Sequence, residues 1–243
     1  MIPASSGPID PSECLPGRLS RILQSNFKTV YSHMKRTQVS LLNPRKIPAQ
    51  QRSVATVDAI LEAATQILLA SGFEKMSTTR IAERAGVSVG SFYQYFPNKR
   101  ALLAALVHRH VSEVAARAEG ACRAVHGATI REMCVTIVNA FIDAKTERAD
   151  LSRALYLPAA MVGGAAIVKA QSDRVGNAVA AMLETASDAS FDQPSLLSLV
   201  LVTAVVGPMQ AVLEMGVNTE LISRLRQQLT ALCVGYLIET ARH

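Results

Sequence analysis

Between Thr78 and Lys99 the chain carries side chains suited to holding a nucleic-acid duplex. Val89, Gly90, Ser91, Tyr93, Gln94 and Tyr95 fall within seven positions and are mostly small, hydroxyl-bearing or amide-bearing. Gln94 matches an adenine edge bidentately, Ser91 donates or accepts, and Gly90 lets the backbone come close to a base. Thr78, Thr79, Tyr93 and Tyr95 offer hydroxyls and Lys99 an ammonium, the groups that engage phosphate oxygens and set register on a duplex. Upstream, Lys35, Arg36, Arg45, Lys46 and Arg52 follow one another with no acidic residue between them. That run suits an arm that tracks a phosphate backbone or enters a minor groove.

The charge distribution supports the same chemistry. The net charge is +6, and residues 34–119 hold twelve basic against six acidic side chains, whereas residues 120–243 hold ten against eleven. A positive field confined to one segment points to phosphate rather than to general solubility. Other chemistries find less support. Gly86, Ser88 and Gly90 fit the GxSxG spacing of a hydrolase nucleophile, but that motif needs a strand before the serine and an acid and a histidine downstream. Here a helical pattern precedes it, so no catalytic residue is expected. His108 and His110 diverge on a helix, and Cys122 with His126 lack a third ligand, so no metal and no cofactor is expected. The four cysteines form no CxxC pair and no signal peptide opens the chain, the pattern of reduced thiols in a cytoplasmic protein.

The elements that must position these groups read as all-α. Ala, Leu and Val dominate, aromatics are 5% of residues and Trp is absent, a composition for helices packed by aliphatic ridges. Residues 1–50, rich in Pro, Ser and Asn, read as a flexible leader with a basic arm. Residues 51–98 read as a DNA-binding head. Val57, Ile60, Leu61, Ala64, Ile67 and Leu68 share one helix face, and Gly72 supplies a left-handed stop. Ser77 caps a short helix at 78–85, Gly86 makes the turn, and Ser88 caps a second short helix that ends at Phe96, before Pro97. Two short helices around a tight glycine turn, buttressed by a longer one, form a helix-turn-helix. Phe92 and Phe96 face its core. Asn98 then caps a long helix leading into residues 99–243, a regulatory domain with helices expected near 127–148, 151–157, 159–188, 194–215 and 218–241, broken at Asp150, Pro158, Pro194 and Gly216.

The stretch from Met76 to Leu103 resembles the N-terminal signature of TetR-type transcriptional regulators. The most characteristic matches are Ile81-Ala82, Ala85-Gly86-Val87, Phe92-Tyr93, Tyr95-Phe96 and Asn98-Lys99, and the similarity covers about residues 50–105. It implies a homodimer of helical chains. Operator contacts would fall at Thr79, Val89, Gly90, Ser91, Tyr93, Gln94, Tyr95 and Lys99, and a divergent C-terminal domain would take a small effector. The leader departs from the family pattern: either it is an extended basic arm or translation begins at Met34.

In the C-terminal half, the nearly continuous apolar run 196–213 reads as a helix buried by a partner chain. With Leu221, Ile222, Leu225, Leu229, Leu232, Leu237 and Ile238 of the last helix it would build a four-helix dimer interface. A membrane span is the alternative, disfavoured by Pro208 and Gln210. An apolar or aromatic effector would sit among Met133, Ile137, Phe141, Leu155, Tyr156, Leu157, Met161 and Ile167, with Tyr156 beside Pro158 and the flexible Gly163–Gly164 pair as local hints of a gate. A DNA-binding dimer without any effector is the other reading of the same core.

Overall fold

The computed structural model describes residues 51–242; the leader 1–50 lies outside the described residues, as do the side chains of Arg52 and Leu157. Among the described residues there are nine helices and no strand. In chain order they are α1 Gln51–Ser71, α2 Thr78–Arg84, α3 Val89–Tyr95, α4 Lys99–Ala124, α5 Ile130–Thr146, α6 Ala149–Met161, α7 Gly164–Leu183, α8 Pro194–Met215 and α9 Thr219–Thr240.

The expected caps are present. Ser77 Oγ accepts from the Arg80 amide, Ser88 Oγ from Ser91 and Asn98 Oδ1 from Ala101, each serving an otherwise unpaired donor of a first turn. Gly72 and Gly86 take φ of +76° and +67°, a conformation that costs an L residue with a Cβ. Thr129 and Glu132 form a reciprocal capping box at the start of α5.

Three expectations need correction. Pro158 does not end a helix: α6 runs through it to Met161, and the break comes at Gly163, whose φ is +68°. A proline costs one ladder hydrogen bond, and burial of Leu155, Pro158 and Val162 around it compensates. Asp150 is no breaker either but lies in the first turn of α6. The Gly163–Gly164 pair, expected as a flexible part of a gate, is tightly packed at Gly164. A Cβ on Gly164 would lie 2.6 Å from the carbonyl oxygen of Ala159, so a side chain has no room there.

α1, α2 and α3 pack in sequence. α4 carries the chain into the larger half, where it packs against α5, α6 and α7; α8 lies on α7, and α9 on α5 and α8. The end remote from the head is stitched by backbone and side-chain bonds, Gly127 N to Thr185 Oγ1, Ser187 N to Ala128 O and Ile130 N to Asp188 Oδ1. Two segments, 53–71 and 194–215, are long and apolar enough to cross a membrane by length and composition. Both pack one face onto other helices. Ile60, Ala64 and Ile67 of α1 are buried in the head, and Leu197, Leu201, Val205 and Met209 of α8 in the larger core.

Candidate nucleic-acid interface and inner cavity

The short helix α3 has two unlike sides, and helical phase explains which residue lies where. At about 100° per residue, Val89, Tyr93, Gly90 and Gln94 fall within one arc of about 140°, and all four are exposed. Phe92 and Tyr95 fall on the other side and are buried, Phe92 completely, and Phe96, the extended C-cap, turns back into the core beside them. Ser91 sits at the border, half-buried, with its hydroxyl 2.9 Å from that of Ser88. Tyr95, expected among the hydroxyls that engage phosphate, is instead a residue only 9% exposed that belongs to the core side. Two positions after Tyr93 is a rotation of about 200°, which carries the second tyrosine inward.

The buttress is aromatic and polar in turn. Phe92 meets Tyr93 edge-on at 5.5 Å and Phe96 at 5.9 Å. The hydroxyls of Thr78 and Tyr93 lie 3.2 Å apart, joining the start of α2 to the exposed side of α3. Thr78 is half-buried and Thr79 exposed. Arg84 Nε donates to Gln66 Oε1 at 2.7 Å, fastening α2 to α1. Ser88, the serine of the GxSxG spacing, caps α3 and follows helix α2 rather than a strand.

Lys99 is more constrained than a surface lysine. Its ammonium donates to the Phe73 carbonyl at 2.8 Å and lies 3.9 Å over the Phe73 ring. That leaves two of its three N–H donors for a phosphate while the side chain is held in place. Neighbouring Arg100 donates to the Met161 carbonyl, so the first turn of α4 is tied to both the α1–α2 connection and the end of α6.

Deeper in the larger half, α4, α5, α7, α8 and α9 line a cavity of about 140 Å³ that opens to the surface beside Val168 and Val206. Of the residues expected around an effector, Ile137 and Phe141 line it. Met133 and Leu155 are buried elsewhere in the core, Met161 is exposed, and Ile167 is half-buried off the lining. Tyr156 opens onto a different pocket beside Lys145 and Gln210. Sequence reasoning missed the polar members of the lining, Lys145, Gln171 and Ser172, and the thiols of Cys134 and Cys233. A signal existed for Lys145: Cys134, Val138, Phe141 and Lys145 are spaced at three and four, so a cation stands on an apolar stripe. Burial draws the Lys145 ammonium below the ordinary lysine range and raises the thiols of Cys134 to about 12 and Cys233 to about 11, which keeps both protonated at neutral pH.

The exposed apolar side chains of α8 and α9 form the remaining surface of note. Leu196, Leu199 and Val200 on α8 and Leu232 and Ile238 on α9 are exposed, whereas Ile222, Leu229 and Leu237 are buried within the protomer. The seven α9 residues expected at a partner thus divide between two faces.

Comparisons with known proteins agree with this geometry. Residues 60–106 match the family described as bacterial regulatory proteins, tetR family, and residues 129–237 match the tetracyclin repressor-like C-terminal domain. Over 70 residues the chain is 39% identical to the HTH-type transcriptional repressor KstR of Mycobacterium tuberculosis, a stretch covering 29% of this chain and 31% of that protein. Over 53 residues it is 42% identical to the HTH-type transcriptional regulator YvkB of Bacillus subtilis, covering 22% and 28%. The matches thus span about a third of the length of these relatives. Among solved structures, a TetR-family regulator from Mesorhizobium loti superposes with a TM-score of 0.66 at 19% identity, covering 79% of this chain and all of that one. The fatty acid degradation regulator FadR from Bacillus halodurans does so at 0.58 and 18%, covering 75% and 96%. At such identities the likeness is one of fold.

Proposed function

The chain belongs to the TetR family of DNA-binding transcriptional regulators, and from that premise we propose that it is a cytoplasmic repressor, released from a pseudo-palindromic operator by a small effector. The observation that carries this is the division of α3. Val89, Gly90, Tyr93 and Gln94 stand outward as one small-to-polar ridge while Phe92, Tyr95 and Phe96 anchor it, which is the form of a recognition helix sized for a major groove. Val89 and Gly90 allow close approach, Gln94 and Ser91 read base edges, and Thr78, Thr79, Tyr93, Lys99 and Arg52 hold phosphates. Tyr95 acts from the core, setting the tilt of α3.

In this reading residues 51–98 are the head, and residues 99–243 hold the effector and join two protomers through the exposed sides of α8 and α9. Exposed Leu196, Leu199, Leu232 and Ile238 form an apolar surface of the kind that marks association. Two-fold symmetry then puts two α3 helices on successive major grooves about 34 Å apart.

The apolar cavity among α4, α5, α7, α8 and α9 favours the effector-responsive regulator over a constitutive DNA-binding dimer. A route from cavity to head exists through α6, which packs on α1 and α4 and begins three residues after Thr146. An effector that prefers one spacing of the heads shifts the population toward it. The test is footprinting of the purified protein on genomic fragments, beginning upstream of its own gene. A protected palindrome of two half-sites supports the proposal, and uniform protection without sequence preference contradicts it.

A further inference from the structure

The polar groups of the inner cavity lie at one end and are dominated by donors. α5 runs back toward the head and α7 away from it, so Lys145 near the end of α5 and Gln171 and Ser172 early in α7 share the head-proximal end. Cys134, Met182, Leu201 and Leu237 line the remote end. No carboxylate lines the cavity among the described residues. The oxygen of the buried Gln171 amide is already taken by Arg174 Nη1 at 2.6 Å, which leaves its NH₂ group as what it offers.

The acids near Lys145 are also engaged. Glu147 pairs with Arg117, Asp143 with Arg226, and Glu214 accepts from Gln210; no carboxylate lies within ion-pairing distance of Lys145 among the described residues. The other charged neighbours, Arg148 and Arg153, are cations, and His110 is buried beside them. An ammonium half-buried among apolar side chains without a counter-ion is costly. An anion supplied from outside would remove that cost.

We propose that the effector is an apolar molecule bearing one carboxylate, its hydrocarbon among Phe141, Val175 and Leu201 and its anion on Lys145 and Gln171. This rests on the effector-responsive reading above and names the ligand class. The volume sets the scale of the part that is held, since a cavity of about 150 Å³ accepts benzene. A ring or short chain with one carboxylate matches the 140 Å³ here, and the open side beside exposed Val168 and Val206 leaves room for a longer chain. Binding at Lys145 reaches the head by a short path, because the Lys145 carbonyl accepts from Ser152 Oγ on α6 at 3.1 Å and Ser152 in turn bonds His110 on α4.

The experiment titrates the full chain with hexanoate, octanoate and phenylacetate and with the matched alcohols 1-hexanol, 1-octanol and 2-phenylethanol, by calorimetry and by operator release. Each carboxylate is expected to bind at least about tenfold more tightly than its alcohol. In Lys145→Met that preference disappears while alcohol binding persists, and the ligand-free variant melts no lower than the parent. Lys145→Gln serves the same comparison if the methionine variant does not fold. In the parent chain, carboxylate binding is accompanied by proton uptake that grows with pH, since an anion restores the ordinary basicity of Lys145. Alcohols that bind as tightly as carboxylates, a preference that survives Lys145→Met, or no binding by any carboxylate at millimolar concentration would each overturn the proposal. Carboxylate binding that leaves operator affinity unchanged would confirm the site and sink the regulatory reading instead.

Discussion

His110 Nε2 on α4 lies 3.0 Å from Ser152 Oγ on α6. The single hydroxyl hydrogen of Ser152 goes to the Lys145 carbonyl, so Nε2 carries the proton and donates to Oγ. Burial, then the charges of Lys145 and Arg148, push His110 down to about 4. The folded value lies below the unfolded 6.5, so the unfolded state binds more protons between the two. Stability is therefore fully present above pH 6.5 and lost as pH falls toward 4, by on the order of 3 kcal/mol. Urea unfolding at stepped pH measures it, and His110→Gln should flatten that part of the profile.

The two sides of α3 separate by mutation. Phe92→Ala removes a fully buried ring and should destabilise the fold by about 3–5 kcal/mol, seen as a lowered midpoint in denaturant. Gln94→Ala touches only the exposed arc and should leave that midpoint within about 0.5 kcal/mol. Its effect belongs to binding, where discrimination at one base position should fall by about 1–3 kcal/mol in competition assays against single-base operator variants.

Gly164→Ala places a Cβ against the Ala159 carbonyl at 2.6 Å. Backbone on both sides has to shift, so thermal unfolding should show a loss of about 1–3 kcal/mol. A variant as stable as the parent would mean that α6 and α7 join with more slack than the geometry shows.

Leu199→Glu puts a charge at a position 59% exposed in the protomer. A free surface tolerates that change, but an isologous interface receives it twice, and truncating or charging a central apolar anchor costs about 2 kcal/mol or more. Sedimentation should show a monomer with an unchanged helical spectrum and weaker operator binding.

Much of this was legible along the chain, for identifiable reasons. α8 matches its expected span because Pro194 suits a first helical position and Gly216 closes the end. The head was legible through Ser77, Ser88 and Asn98, whose side chains cap what their types suggest. Pro158 misled because a proline weakens a helix without determining where it stops; Gly163, with its positive φ, does that. The polar tip of Tyr95 suggests a phosphate contact, although its phase puts it beside Phe92. Lys145 is hard to read as a lining residue because its neighbours in the cavity come from helices distant in sequence. Which α9 leucines stay exposed is likewise decided by packing against α5 and α8.

The most direct test of the account is the affinity of the purified chain for its footprinted operator across a salt series, with Lys99→Ala and Gln94→Ala alongside. The parent should bind with a steep salt dependence and prefer the operator to scrambled DNA. Lys99→Ala should weaken all sequences alike and lower the slope by about one unit, and Gln94→Ala should erode the preference alone. A parent chain that ignores duplex DNA in dilute salt, or variants that both bind as the parent does, would contradict the placement of α3 against the duplex.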